Sequence, residues 1–105
     1  MSSTNNINEK SPAECTNIAE VRNEIDNIDR EIIRLLSDRF GYVKEVVKYK
    51  DMTASGIVAS DRRAVVLRTR REWAEQNGLN ADVIEEIYTR LIAYFIEEEK
   101  KIVNL

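Results

Sequence analysis

NIAEVRNEIDNIDREIIRLLSDRFGYVKEVVKYK, residues 17–50, carries apolar side chains at Ile18, Val21, Ile25, Ile28, Ile32, Leu35, Leu36, Val43, Val46 and Tyr49. Steps of three and four residues dominate, the period of one helix face. The stretch therefore reads as one long helix from Asn17 to Lys50, about 34 residues and about 50 Å in length. A chain of 105 residues builds one domain with a modest core, too small to cover a helix of that length. A second copy is expected to bury the remaining seam, so the fold reads as an intertwined helical homodimer.

Three cations interrupt the seam. Arg39 falls in register with Ile18, Ile25, Ile32 and Val46, while Arg22 and Lys50 share the column of Leu36 and Val43. A buried cation without a partner is costly, so either carboxylates neutralise these three or they face a cavity that receives an anion. At 1.5 Å rise per residue, Arg39 and Lys50 lie roughly 16 Å apart on the helix, within convergence range for two long side chains. Arg22 is about 25 Å from Arg39 and about 42 Å from Lys50. If all three bind one molecule, Arg22 must come from another protomer.

Composition narrows the chemistry. The net charge of −3 argues against a general nucleic-acid binder. No apolar run is long enough to span a bilayer and no basic-then-apolar leader opens the chain, so a soluble cytoplasmic protein is expected. Cys15 is the only cysteine and there is no histidine. That excludes an internal disulfide, Ser/His or Cys/His nucleophiles and imidazole-based zinc sites, so no metal is expected. The glycines, Gly41, Gly56 and Gly78, are scattered and form no phosphate loop. A cofactor-free reaction of an anionic substrate fits these absences.

The rest of the chain divides simply. Residues 1–10 are polar and read as a disordered tail, and residues 11–105 as the domain. Thr16 or Asn17 is placed to cap the long helix, and Gly41 within it suggests close packing, a site wall or a tolerated surface glycine. Residues 51–59, DMTASGIVA, lack a helical period and read as a flexible loop. Ser60-Asp61 offers a cap for a short helix to about Gln76, closed by Asn77-Gly78. Asn80 caps a medium helix from Ala81 to about Ile102, with a stripe at Val83, Ile84, Ile87, Tyr88, Leu91, Ile92, Phe95 and Ile96. The class is all-α, with three helices per chain: one long, one short and one medium.

Val21-Arg22, Ile25-Asp26, Ile28-Asp29, Leu35-Leu36, Arg39 and the run Val43 to Tyr49-Lys50 resemble the all-helical chorismate mutase family. Within it, the lead Pro12-Ala13-Glu14-Cys15 and the later Arg70-Arg71-Glu72-Trp73-Ala74-Glu75-Gln76-Asn77-Gly78-Leu79 are most similar to the isochorismate pyruvate lyase branch of salicylate and siderophore biosynthesis. The resemblance implies that Arg22 of one protomer and Arg39 of the other hold the two substrate carboxylates, a task suited to bidentate guanidinium groups. It implies that Lys50 meets the ether oxygen of the enolpyruvyl group, where charge builds as the C–O bond breaks. Arg62 aligns with a further family arginine. Val43, Val46, Val66, Ile92 and Ile96 would form the apolar walls.

Two positions depart from that pattern. Arg63 stands where mutases usually carry a glutamate for the ring hydroxyl of chorismate, which favours isochorismate. Glu99 stands where bacterial relatives commonly carry glutamine, and a carboxylate beside the ether oxygen would repel developing charge unless protonated. Glu99 also lies in the run Glu97-Glu98-Glu99-Lys100-Lys101, where a solvated role competes with a catalytic one. The reading implied by resemblance is an isochorismate pyruvate lyase with secondary chorismate mutase activity. A chorismate mutase making prephenate is the alternative, and a non-catalytic helical interaction module is a third.

Overall fold

A computed structural model describes residues 10–50 and 53–104; the expected tail falls outside them except for Lys10. Ser11 leads a 3₁₀ turn at Pro12–Glu14, then come α1 (Ile18–Val46), a 3₁₀ turn at Val47–Tyr49, α2 (Ala54–Val58), α3 (Ser60–Gln76) and α4 (Ala81–Val103). No strand occurs among the described residues, so the chain is all-α. The three helices read from the sequence are present, joined by one additional short helix. Two compact units divide the chain, one up to Arg39 and one from Phe40 onward.

In the first unit, Asn17 and not Thr16 caps α1. Asn17 Oδ1 accepts from the Glu20 N–H at 2.9 Å, and Glu20 Oε1 accepts from the Thr16 N–H at 2.7 Å. Lys10 Nζ adds an ion pair to Glu20 Oε2 at 2.9 Å. The Thr16 N–H above all, and then Lys10, hold the Glu20 carboxyl at about 2, well below its ordinary 4.5. The Glu20 N–H, an orphan of the first turn, is satisfied by Asn17. Beyond this end, Val21, Ile25, Ile28, Ile32, Ile33 and Leu35 all stand exposed.

In the second unit, α4 packs against α3 and α2. Its core is Val47, Ile57, Val66, Ala74, Phe95 and Ile96. Phe40, near the end of α1, stacks on Phe95 with ring centroids 5.0 Å apart, and Tyr94 lies 4.9 Å from Phe95. At the α3–α4 turn, the Leu79 N–H returns to Ala74 O at 2.8 Å and the Gly78 N–H to Glu75 O at 3.2 Å. Gly78 supplies the left-handed φ of 74° that this helix ending requires. Asn80 Oδ1 then caps α4 by accepting from the Val83 N–H at 3.1 Å. Arg71 clasps the two helices, reaching Asp82 at 2.8 Å and Glu85 at 2.6 Å.

Four local expectations are corrected. The long helix stops at Val46 and tightens into the 3₁₀ turn instead of running to Lys50, as helix ends often do. Gly41 is exposed and a Cβ there would meet nothing within 4 Å, so within the chain it is a surface glycine without close packing. The loop read over residues 51–59 contains α2, capped by Thr53, whose Oγ1 accepts from the Gly56 N–H at 3.1 Å. Asp51 and Met52 lie outside the described residues. Ser60 is the first residue of α3 and not its cap; Ala59 takes that place with φ 48° and ψ 60°.

Candidate active site

Lys50 follows the 3₁₀ turn in extended conformation, with its N–H bonded to Val47 O at 3.2 Å. Its ammonium donates to Glu99 Oε1 on α4 at 2.7 Å and to the Ile57 carbonyl on α2 at 2.9 Å. The Lys50 side chain is 20% exposed and that of Glu99 is 5% exposed. Ile57 is fully buried. The pair is a short, charge-assisted hydrogen bond, with one partner almost out of water.

The run around Glu99 explains why this glutamate turns inward. Glu97 pairs with Lys100 at 3.4 Å and Glu98 with Lys101 at 2.8 Å, both one turn along the helix. Glu99 instead shares its face with Phe95 and Ile96, which are buried. The solvated role is therefore corrected: Glu99 is a buried charged residue of the core. Burial of one charge demands another, and Lys50 answers that demand.

The remaining candidates are distributed as follows. Val66 and Ile96 are buried, Val43 and Ile92 are half-buried, and Val46 is exposed. Arg62 is exposed on the first turn of α3, as is Arg63 beside it. In the other unit, Arg22 is exposed and Arg39 half-buried on α1. Lys50 and Glu99 are thus brought into direct contact, on a unit whose core includes two of the proposed wall residues. The contact that sequence reasoning missed is the Ile57 carbonyl. A backbone acceptor leaves no residue-type signal, and the only hint was the β-branched apolar pair Ile57-Val58 within the segment 51–59.

Chemically, the arrangement presents a cationic hydrogen-bond donor of limited water access, held by two acceptors from different helices. Such a group can stabilise negative charge on a ligand oxygen with little reorganisation. Among the described residues, no set of three or more His, Cys, Asp or Glu is grouped to hold a metal ion. No helix among them is long and apolar enough to cross a membrane.

Comparison with known proteins bears on the family of the chain. The family model for chorismate mutase type II matches residues 21–100. The isochorismate pyruvate lyase of Pseudomonas aeruginosa is 39% identical over 92 residues, covering 88% of this chain and 90% of that protein. The T-protein of Haemophilus influenzae is 37% identical over 75 residues, but the match spans only 20% of its length. The chorismate mutase of Methanocaldococcus jannaschii is 25% identical over 77 residues, 78% of its length.

Proposed function

The chain belongs to the chorismate mutase type II family, and from that premise we propose that it is an isochorismate pyruvate lyase. It would carry out a cofactor-free pericyclic elimination: the C2 hydrogen moves to the enolpyruvyl methylene, the C–O bond breaks, and pyruvate and salicylate leave. The observation that carries the reading is Lys50, a cation bonded to a buried carboxylate and a backbone carbonyl, in a chain 39% identical to a lyase along almost its whole length. The ammonium would stabilise the ether oxygen as the bond opens. Arg22 and Arg39 would hold the two carboxylates and Arg62 would add a further positive charge. Val43, Val46, Val66, Ile92 and Ile96 would fold the substrate into its reactive conformer.

The proposal includes an intertwined homodimer, with Arg22 of one protomer completing the site that contains Arg39 and Lys50 of the other. The exposed apolar face of α1 supports it, because a contiguous apolar surface of this kind marks an interface. A soluble cytoplasmic enzyme serving salicylate and siderophore synthesis completes the reading. The same cations would allow a weaker chorismate mutase activity, which the family match supports.

Turnover of isochorismate and chorismate measured in parallel tests the assignment. The lyase reading expects the higher kcat/KM with isochorismate, and a large preference for chorismate would establish the mutase instead. Turnover of neither, with no saturable binding of a cyclic dicarboxylate analogue, would leave the helical interaction module.

A further inference from the structure

An ammonium has three N–H donors and no acceptor. In Lys50 one donor is taken by Glu99 Oε1 at 2.7 Å and a second by Ile57 O at 2.9 Å. No third partner of Lys50 is found among the described residues. The two acceptors do different things. Glu99 brings a charge that holds the ammonium and also cancels part of its field. The Ile57 carbonyl is neutral, so it fixes the direction of the ammonium at little cost to its charge.

Three hydrogen bonds and one buried side chain of α2 hold that carbonyl in place. The Ile57 N–H bonds to Thr53 O at 3.0 Å, the Gly56 N–H to Thr53 Oγ1 at 3.1 Å and the Ala59 N–H to Ser55 O at 3.0 Å. The Ile57 side chain is fully buried and pins the helix from below. The carbonyls in the last turn of a helix have no intrahelical donor. Ile57 lies in the last turn of α2, so its oxygen is open to Lys50.

We propose that Ile57 is a positioning residue: its backbone carbonyl, presented by α2, works with Glu99 to aim the remaining N–H of Lys50 at the reacting oxygen of the substrate. The inference rests on the reading of Lys50 as the group that meets the breaking C–O bond. Without the carbonyl, the ammonium turns onto both oxygens of Glu99 and its free donor loses direction. The loss falls on the chemical step and not on substrate binding, because orientation matters most where charge develops.

The test replaces Val58 by its α-hydroxy acid in the full chain, which turns the Ile57 carbonyl into an ester carbonyl, a weaker acceptor. The control replaces Ala59 by lactic acid, which removes the Ala59 N–H that bonds Ser55 O but leaves the Ile57 amide carbonyl intact. Both deprive α2 of one N–H. The expected result is a kcat lowered about five-fold in the Val58 ester, the weight of one weakened hydrogen bond to a charged group. KM should stay within about two-fold, and the Ala59 ester should keep kcat near that of the parent. Equal losses in the two esters, or a loss carried by KM, would overturn the proposal. A second readout does not need turnover: the ¹⁵N-labelled Lys50 ammonium should show slowed proton exchange in the parent and the Ala59 ester and fast exchange in the Val58 ester. If the parent turns over neither substrate, the lyase reading fails, and the exchange measurement still decides whether Ile57 holds Lys50.

Discussion

Up to Arg39 the chain shows its apolar side chains to water, with Ile18 63% and Ile28 56% exposed; from Phe40 onward it hides even a carboxylate, with Glu99 4% exposed. The first unit holds a long amphipathic helix with its ion pairs on the outside, such as Arg34 to Glu31 and Asp38. The second has a core, stacked aromatic rings and a buried ion pair. The contrast teaches that the second unit has a core of its own, although Val83 and Ile87 on it stay exposed, whereas the first has its apolar seam still to bury.

The largest effect should come from attacking the unfinished face. Ile28→Asp places a charge on the seam of α1, and in an obligate dimer both helicity and activity should fall together, because such dimers often lack a stable folded monomer. Sedimentation should show loss of the dimer; an active, helical monomer would dissolve the contrast. Mixing offers a sharper form of the same test. Arg22→Ala and Arg39→Ala subunits, each inactive alone, should recover toward about a quarter of wild-type activity when refolded together, since half the dimers are mixed and each has one intact site of two.

Next in size is Lys50→Gln, which should lower turnover on the order of 100-fold or more by removing charge stabilisation from the breaking bond. The structure adds a second consequence: Glu99 is left buried without its cation, a situation that typically costs about 3 kcal/mol or more. Lys50→Gln combined with Glu99→Gln should therefore regain thermal stability without regaining activity. A double variant as unstable as the single one would show that the pair is not a coupled unit.

How much of this was legible depended on length. The medium helix could be read from Ala81 to about Ile102 because the Asn80 cap and a stripe of eight apolar residues agree. Asn77-Gly78 marked the α3–α4 turn because left-handed backbone selects glycine. Lys50 betrayed itself by standing in an apolar column, and Glu99 by following Ile92, Phe95 and Ile96 on one face. Helix α2 was hidden: five residues are too few to show a period, and Ser55 and Gly56 argue for a loop. Ala59 gave no sign of its positive φ, because the conformation is imposed by the junction of two helices, whose bonds converge there from Arg63 N–H and toward Ser55 O.

That junction supplies a moderate and a small effect. Ile57→Ala empties a fully buried position, a change that typically costs about 3 kcal/mol, and chemical denaturation should report it. Ala59→Gly relieves a left-handed alanine and should stabilise the chain by about 1 kcal/mol; a lower denaturation midpoint would contradict that conformation.

The smallest effect belongs to the start of α1. Glu20 is held at about 2 against an ordinary 4.5, mainly by the Thr16 N–H. A carboxyl lowered in the folded state contributes stability above its unfolded value, and that contribution disappears as pH falls from about 4.5 toward 2. Hydrogen exchange in the first turn of α1 should accelerate over that window in the parent chain. Glu20→Gln should show fast exchange at neutral pH and no further change on acidification.

The Lys50–Glu99 pair joins residues 49 apart in sequence, whereas Arg71 reaches Asp82 and Glu85 across 11 and 14. Loop closure costs more entropy the longer the loop, so on the way to the native state the α3–α4 hairpin has the cheaper contacts and can form first. The long closure is then a late event, stabilising the native state more than the barrier to it. Its loss should speed unfolding far more than it slows folding. Chemistry in this chain would accordingly depend on a contact between residues far apart in sequence, so that partial opening silences the enzyme before the helices themselves are lost.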